Sequence, residues 1–419
     1  MTSKKRVVIT GSGIASPLGN QVAAYCQNLY HGQYGIGPIT TFDAAKQTTK
    51  LGASLDPIPI PGCLSPRERK TCSNLSMISI HCVEQAMKQA KLNMTEVDSD
   101  EAGVIVGSGN INIYDLNEPF RALLQDDRPM SPSTIPVNMP ASTPSQIAIK
   151  YGLHGIVKCV STACAAGFTA IADGARLIRN GEQRVMIAGG ADLSICPLMV
   201  HGWERLRVLS GEQDDPSLVC RPFDKERRGI ALGDGAAYVV LESYEDAVAR
   251  GALILAELSG FFQNSDSLNL VKPDSTRQVR CINKALQQAG LEPAEIGMIY
   301  AHATATKLND LVEYESLLEV FQERLKTIPL CGLKSMIGHT MGASGPMALI
   351  AALGTLQADY FYPIPNLTQL EEGMALRITT EGQILKGVEH ILLNAFAFGG
   401  TNVSLVVSKT DKHNILKQE

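Results

Sequence analysis

Short apolar runs ending in glycine recur along this chain, separated by stretches whose apolar residues return every three or four positions. Residues 6–13, 102–109 and 183–192 are continuous apolar runs of strand length, the pattern of strands buried on both faces. Residues 75–92 are amphipathic with a helical period. The β-prone run 155–161 leads into the small, helix-compatible stretch 165–178, which Asn180-Gly181 brings to a stop. A second series follows, with strands predicted over 252–258, 296–302 and 390–395 and helices over 276–289 and 346–356. Within it, the small-residue turn 338–345, apolar helix, strand and glycine pair repeat the order of 163–190. This predicts an internal duplication joined near Gly251, with halves at residues 1–250 and 251–410 and a polar tail at 411–419. Alternating strands and helices predict parallel sheets covered by helices. Two such halves packed together make an α/β fold of five layers, α/β/α/β/α, with sites at the carboxyl ends of strands.

Composition narrows the function classes. A net charge of −5 and a pI near 6.0 argue against a dedicated nucleic-acid binder. No apolar run approaches the roughly 18 residues of a membrane span, and 7–10 is too short for a secretory core after the basic start. The ten cysteines form no CxxC pair, so neither a zinc site nor a disulfide framework is expected, and a reducing, cytoplasmic setting fits best. Gly11-Ser12-Gly13 lacks the third glycine and the later acid of a dinucleotide site.

Cys164 stands where the strand 155–161 turns into the helix 165–178. The positive end of a helix favours a thiolate, so this placement predicts a nucleophile. A small buried cysteine beside a packed helix fits the local residues equally well. Three further stretches bear on the choice: Ala301-His302-Ala303-Thr304-Ala305-Thr306, Lys334-Ser335-Met336-Ile337-Gly338-His339, and the glycine-rich turn within 394–402. Singly, these read as a structural histidine, a solvated lysine and a plain turn. Together they put one thiol, two histidines, one lysine and a set of backbone donors at equivalent points of a duplicated architecture.

Four motifs, taken in order, carry a resemblance that runs essentially end to end, from Val8-Ile9-Thr10-Gly11 to Gly399-Gly400-Thr401-Asn402. They are Ser161-Thr162-Ala163-Cys164, Arg221-Pro222-Phe223-Asp224, the 334–339 stretch and Phe398-Gly399-Gly400-Thr401-Asn402. With them the chain resembles the elongating β-ketoacyl-[acyl-carrier-protein] synthases of the synthase II type, in the thiolase-like superfamily. The resemblance implies a thiolase-like fold and a decarboxylative Claisen condensation of an acyl thioester with malonyl-carrier protein in fatty acid biosynthesis. Cys164 would accept the acyl chain, and the N–H groups of Cys164 and Phe398 would form its oxyanion hole, with Phe398 also a gate. His302 and His339 would donate to the malonyl thioester carbonyl. Lys334 would orient the His302 region, with Glu313 as its ionic partner. Thr304 and Thr306 would bind the phosphopantetheine arm, and Asn110, Phe396 and Gly399 would also meet substrate. Arg67, Arg69, Lys70, Arg205 and Arg207 are candidates for docking an acidic carrier protein.

By the same resemblance neither a metal nor a cofactor is needed beyond the phosphopantetheine of the acyl carrier protein. A homodimer is implied, or a heterodimer with a related subunit, with no nucleic acid and no membrane as partner. Other readings stay open. They are a ketosynthase of a polyketide or other secondary-metabolite pathway, a thiolase acting on acyl-CoA, and a non-catalytic chain-length partner, the last opposed by Cys164, His302, Lys334 and His339 all being present. Departures from the family bear on the substrate: Ala303 where glycine is usual, polar Asn110 at a commonly apolar position, a Pro-, Ser- and Thr-rich segment 132–146, and a shortened 262–276 without its customary histidine. A polar or unsaturated chain therefore stands beside ordinary fatty acids.

Overall fold

Ten strands make up the main sheet of the computed structural model, which describes residues 4–110, 112–211 and 213–410. In chain order they are β1 (Val7–Ala15), β2 (Ala102–Gly107), β3 (Val157–Val160), β4 (Val185–Asp192), β5 (Gly235–Ser243), β6 (Ala256–Ser265), β7 (Met298–Tyr300), β8 (Leu330–Cys331), β9 (His390–Phe396) and β10 (Thr401–Ser408). Their lateral order is β8-β7-β9-β10-β6-β1-β5-β4-β2-β3. Read outward from the β6/β1 seam, the two halves have the same connectivity, β1-β5-β4-β2-β3 against β6-β10-β9-β7-β8. The halves are hydrogen-bonded across the seam through only two paired positions, Val8 with Glu257 and Ile9 with Ala256.

The helices that matter for the site are α1 (Asn74–Ala90), α2 (Ser142–Tyr151), α3 (Ala166–Asn180), α4 (Pro197–Arg205), α5 (Ser275–Ala289), α6 (Lys307–Phe321) and α7 (Ser344–Ala358). α1 and α2 cover the outer face of the first half, and α5 and α6 that of the second. α3 and α7 pack on each other and on both halves, in a central core that takes residues from β1, β4, β5, β6, β9 and β10. The result is the five-layered α/β/α/β/α order. α7 is apolar nearly all round, as a helix buried between two sheets has to be.

The sheet is mixed rather than wholly parallel. Within the first half β3, β2 and β4 run parallel, whereas β5 is antiparallel to both β4 and β1. The second half repeats this, with β9 and β10 antiparallel and joined by a tight turn instead of a crossover helix. The strand predicted over 252–258 begins later and runs further, at Ala256–Ser265. Ile254 and Leu255 are buried, but they lie in the turn out of the helix Tyr244–Ala249, and the polar end Gln263-Asn264-Ser265 pairs with β10.

Small residues at the middle of the fold let backbones touch. A Cβ on Gly167 of α3 would lie 2.2 Å from the Gly342 carbonyl oxygen and 2.4 Å from Pro346 Cγ. One on Gly107 at the end of β2 would lie 2.3 Å from the Ala166 backbone. Overpacking of a rigid core typically costs about 1–3 kcal/mol. Gly167→Ala is therefore expected to lower the midpoint of thermal unfolding by several degrees, as read by calorimetry. An unchanged midpoint would contradict the close approach of α3 and the 341–343 turn.

Candidate active site

Cys164 lies in a single 3-10 turn, Ala163–Ala165, directly ahead of α3, with Ala163 at φ +49°. The turn ends the strand-to-helix crossing and buries the side chain to 6% exposure. Leaving β7, the chain enters 302–306, where Ala303 and Ala305 sit at φ +49° and +63°. Such left-handed alanines cost on the order of 1–2 kcal/mol each. Two buried carboxylates of α6 hold them. The N–H groups of His302 and Ala303 donate to Glu313 Oε1 and Oε2 at 2.7 and 2.8 Å, and Ala305 N–H donates to Asp310 Oδ1 at 3.1 Å. His339 follows the one-turn helix Lys334–Ile337 and precedes the turn Met341–Ala343 that leads into α7.

These elements close on one pocket of about 280 Å³, lined by Cys164, His302, His339, Thr304, Thr306, Phe396 and Phe398. The imidazoles of His302 and His339 lie 5.6 Å apart between ring centres, nearly perpendicular at 82°, and Phe396 packs at 6.2 Å from His302. Both histidines are pushed well below their ordinary value by burial and then by the Lys334 charge, so both are neutral at pH 7. Their tautomers follow from their partners. Lys334 Nζ donates to His302 Nδ1 at 3.4 Å and also to the His302 carbonyl, and Met341 N–H donates to His339 Nδ1 at 3.2 Å. With Nδ1 accepting in each ring, the proton sits on Nε2. The site thus presents two neutral N–H donors beside one thiol.

Lys334 is itself buried, which pushes its pKa down, while Glu313 opposes that shift. Burial in turn pushes the Glu313 carboxyl up to about 7.

Burial also decides the state of Cys164. It pushes the thiol from 9.0 up to about 11, against the pull of Lys334 and of the N–H groups of Phe398 and Cys164 itself. That rise corresponds to roughly 3 kcal/mol. A helix terminus typically returns about 0.3–1 kcal/mol. The resting side chain is therefore a thiol, and the thiolate expected from the macrodipole alone is outweighed by desolvation. Alkylation of Cys164 by iodoacetamide is expected to speed up continuously from pH 7 to 10, and to slow at fixed pH in Lys334→Met. A rate already level at pH 7 would contradict this.

Two expected substrate residues lie elsewhere. Asn110 does not line this pocket: its N–H donates to Asp192 Oδ1 at 3.0 Å and its Nδ2 to Ser194 Oγ at 2.7 Å, which turns the amide into the first half. Gly399 is exposed, and its N–H is taken by the Leu270 carbonyl at 2.7 Å. Arg205 and Arg207 are exposed on either side of Leu206, a residue of the pocket wall. Arg67 and Lys70 are exposed on the short helix Pro66–Arg69 or its end, while Arg69 is half-buried and donates to the Leu64 carbonyl at 3.0 Å, and none of the three lines the pocket.

Other residues of the site escaped the sequence reading. Asp192 accepts from Ser108 Oγ, Gly109 N, Asn110 N and Gly342 N at 2.7–3.0 Å, tying the end of β2 to the turn behind His339. Arg227 donates to the carbonyls of Thr306 and Lys307 at 3.2 and 2.9 Å and pairs with Asp310, which braces the Thr304–Thr306 loop. Trp203, Leu206, Val208 and Ile230 supply the apolar wall. Asp192 did carry a signal, a carboxylate at the end of an otherwise apolar strand. The wall residues carried none, because an apolar residue facing a pocket looks like any other core residue. Among the described residues no group of three or more His, Cys, Asp or Glu is arranged to hold a metal ion, and no helix is long and apolar enough to cross a membrane.

Residues 4–247 match the family model described as the β-ketoacyl synthase N-terminal domain, and residues 255–368 match the corresponding C-terminal domain. The chain belongs to the β-ketoacyl synthase family. It is an acyltransferase, a condensing enzyme of the β-ketoacyl-carrier-protein synthase kind. It is 36% identical over 410 residues to 3-oxoacyl-[acyl-carrier-protein] synthase 2 of Synechocystis sp., covering 97% of this chain and 98% of that one. Among solved structures, a β-ketoacyl synthase from Burkholderia phymatum is 30% identical with a TM-score of 0.89, covering 97% of this synthase and all of that chain. The ishigamide ketosynthase/chain length factor is 29% identical, with the same TM-score and coverage.

Proposed function

We propose that this enzyme condenses an acyl chain held on Cys164 with a malonyl thioester, both delivered on acyl carrier proteins, in fatty acid biosynthesis. The observation that carries the reading is the convergence of one thiol and two neutral Nε2–H donors in a single pocket. In the first step Sγ attacks the acyl thioester, and the N–H groups of Cys164 and Phe398 face the developing oxyanion. The proton leaving Sγ ends on the departing thiol of the arm, so the step needs no net base. In the second, the malonyl carbonyl accepts from His302 and His339 as carbon dioxide departs. The enolate attacks the acyl carbon, and the expelled sulfur takes up one proton to become a thiol again. Lys334 and Glu313 position His302, and Thr304 and Thr306 receive the phosphopantetheine arm. Arg205 and Arg207, beside the pocket, are placed to meet an acidic carrier protein, with Arg67, Arg69 and Lys70 as a second basic patch.

A polyketide-type ketosynthase is the second reading. The polar Asn110–Ser194 contact at a commonly apolar position supports it, as does the likeness to the ishigamide ketosynthase/chain length factor. The edge strand β3 has its Val157 and Lys158 exposed, which supports a dimer, with itself or with a related subunit. Residues 1–250 and 251–410 are taken as the two halves, and the cytoplasm as the setting. Incubation with malonyl-carrier protein and a panel of acyl-carrier proteins, read by mass, tests the function: a 3-oxoacyl-carrier product is expected. No product from any acyl donor would remove it.

A further inference from the structure

We propose that Trp203 is a positioning residue for acyl transfer, holding by ring stacking the turn that aims the Phe398 N–H at the Cys164 sulfur. The inference rests on the acyl-transfer reading above. Trp203 is the one tryptophan of the chain. It lies near the end of α4, half-buried in the same apolar cluster and pocket as Cys164. Its ring stacks on that of Phe398, with centres 5.9 Å apart and planes 17° from parallel. The stack spans the pocket, from a helix of the first half to the β9–β10 turn of the second.

The turn needs such an anchor. Phe398 is followed by Gly399 and Gly400 at φ +86° and +78°, a left-handed pair that glycine leaves with other conformations of similar energy. The neighbouring N–H groups are committed to the turn and the loop beside it, Ala397 to Thr401 O, Gly400 to Ala397 O and Gly399 to Leu270 O. The Gly400 bond to Ala397 O restrains, within the turn, the peptide plane whose N–H faces the sulfur, but every one of these partners lies in the second half, and none ties that plane to the first half, where Cys164 stands. The Phe398 side chain can fix it, and the aromatic ring it packs against is Trp203. Offset stacking has a preferred geometry, which is what a positioning contact requires. Misplacing a group by about 1 Å at a reacting centre costs up to about a hundredfold in rate.

The test compares two reactions of the same sulfur in the full-length enzyme. Acyl transfer from acyl-carrier protein develops an oxyanion and needs the Phe398 N–H in place, whereas alkylation by iodoacetamide forms no oxyanion. Trp203→Ala and Trp203→Leu are expected to slow single-turnover acyl transfer about tenfold and to change alkylation of Cys164 by less than about threefold. Trp203→Phe, which keeps a stacking ring, is expected to recover most of the transfer rate. Transfer by both ring-free variants within about twofold of wild type overturns the inference, and so does a parallel loss of both reactions. A wild-type enzyme that is alkylated at Cys164 yet accepts no acyl group overturns the functional reading, and the inference falls with it.

Discussion

Cys164→Ala is expected to take up no measurable acyl group from a carrier thioester, a loss on the order of 10⁴–10⁶ in rate, while still releasing carbon dioxide from malonyl-carrier protein. The two halves of the chemistry draw on different groups. Acyl uptake requires a nucleophile, and Cys164 is the thiol beside both imidazoles. The other nine cysteines lie outside that pocket, and all nine are pushed up by burial; Cys82, Cys220, Cys281 and Cys331 are the extreme cases. Decarboxylation needs a place for negative charge on the malonyl carbonyl oxygen, and in the proposed mechanism the Nε2–H groups of His302 and His339 supply it whether or not sulfur is present. The alanine leaves a cavity about the size of one sulfur atom and disturbs neither histidine, since each is held from behind by Lys334 or Met341. Radiolabelled acyl transfer and ¹⁴CO₂ release, measured side by side, check the split. Label retained by the variant would move the nucleophile elsewhere, and loss of both reactions would make the decarboxylating donors depend on the thiol.

The legible parts of this enzyme were those written in local pattern. Seven of the ten strands are legible as β-prone or apolar runs, whereas β5, β8 and β10 are not among those the pattern predicts, and the repeat of small-residue turn, helix, strand and glycine pair points to the duplication that the strand order displays. The strand-end His302, the turn His339 and the strand–helix Cys164 could be singled out because polar groups stand out at such points. What stayed hidden depends on contacts between distant segments. Whether β5 lies parallel or antiparallel to β4 is not written in β5 itself, whose residues are buried on both faces. The thiolate expectation failed because a helix terminus is visible in the sequence and desolvation is not. Asn110 and Gly399 were assigned by position in a motif. A hydrogen bond to Ser194, from a segment the motif does not contain, turns Asn110 into the first half, and Gly399 lies exposed with its N–H on the Leu270 carbonyl. Trp203 is the opposite case, an unremarked residue of an ordinary amphipathic helix that meets Phe398 nearly two hundred positions later.

His339→Ala should give the reverse pattern to the cysteine variant: acyl uptake by Cys164 retained within about tenfold, and malonyl decarboxylation lowered by about 10²–10³. His339 touches the first half-reaction only through the environment it gives the sulfur, because its Nδ1 is occupied by Met341 N–H and Ser344 Oγ lies 3.1 Å away. In the proposed mechanism its Nε2–H is the part offered to substrate, and a neutral imidazole donor is lost outright with the ring. Burial, reinforced by the Lys334 charge, keeps both rings neutral, so the donors persist as pH falls through 6.5, and the acid limb of decarboxylation is not set by imidazole protonation. Carbon dioxide release that titrates away near the ordinary histidine value would show that the rings are more solvated than their burial indicates. If His339→Ala abolished acyl uptake as completely as decarboxylation, the histidine would have to act on the thiol itself. The proton on Nε2 would then be the one exchanged with sulfur rather than the one offered to the enolate.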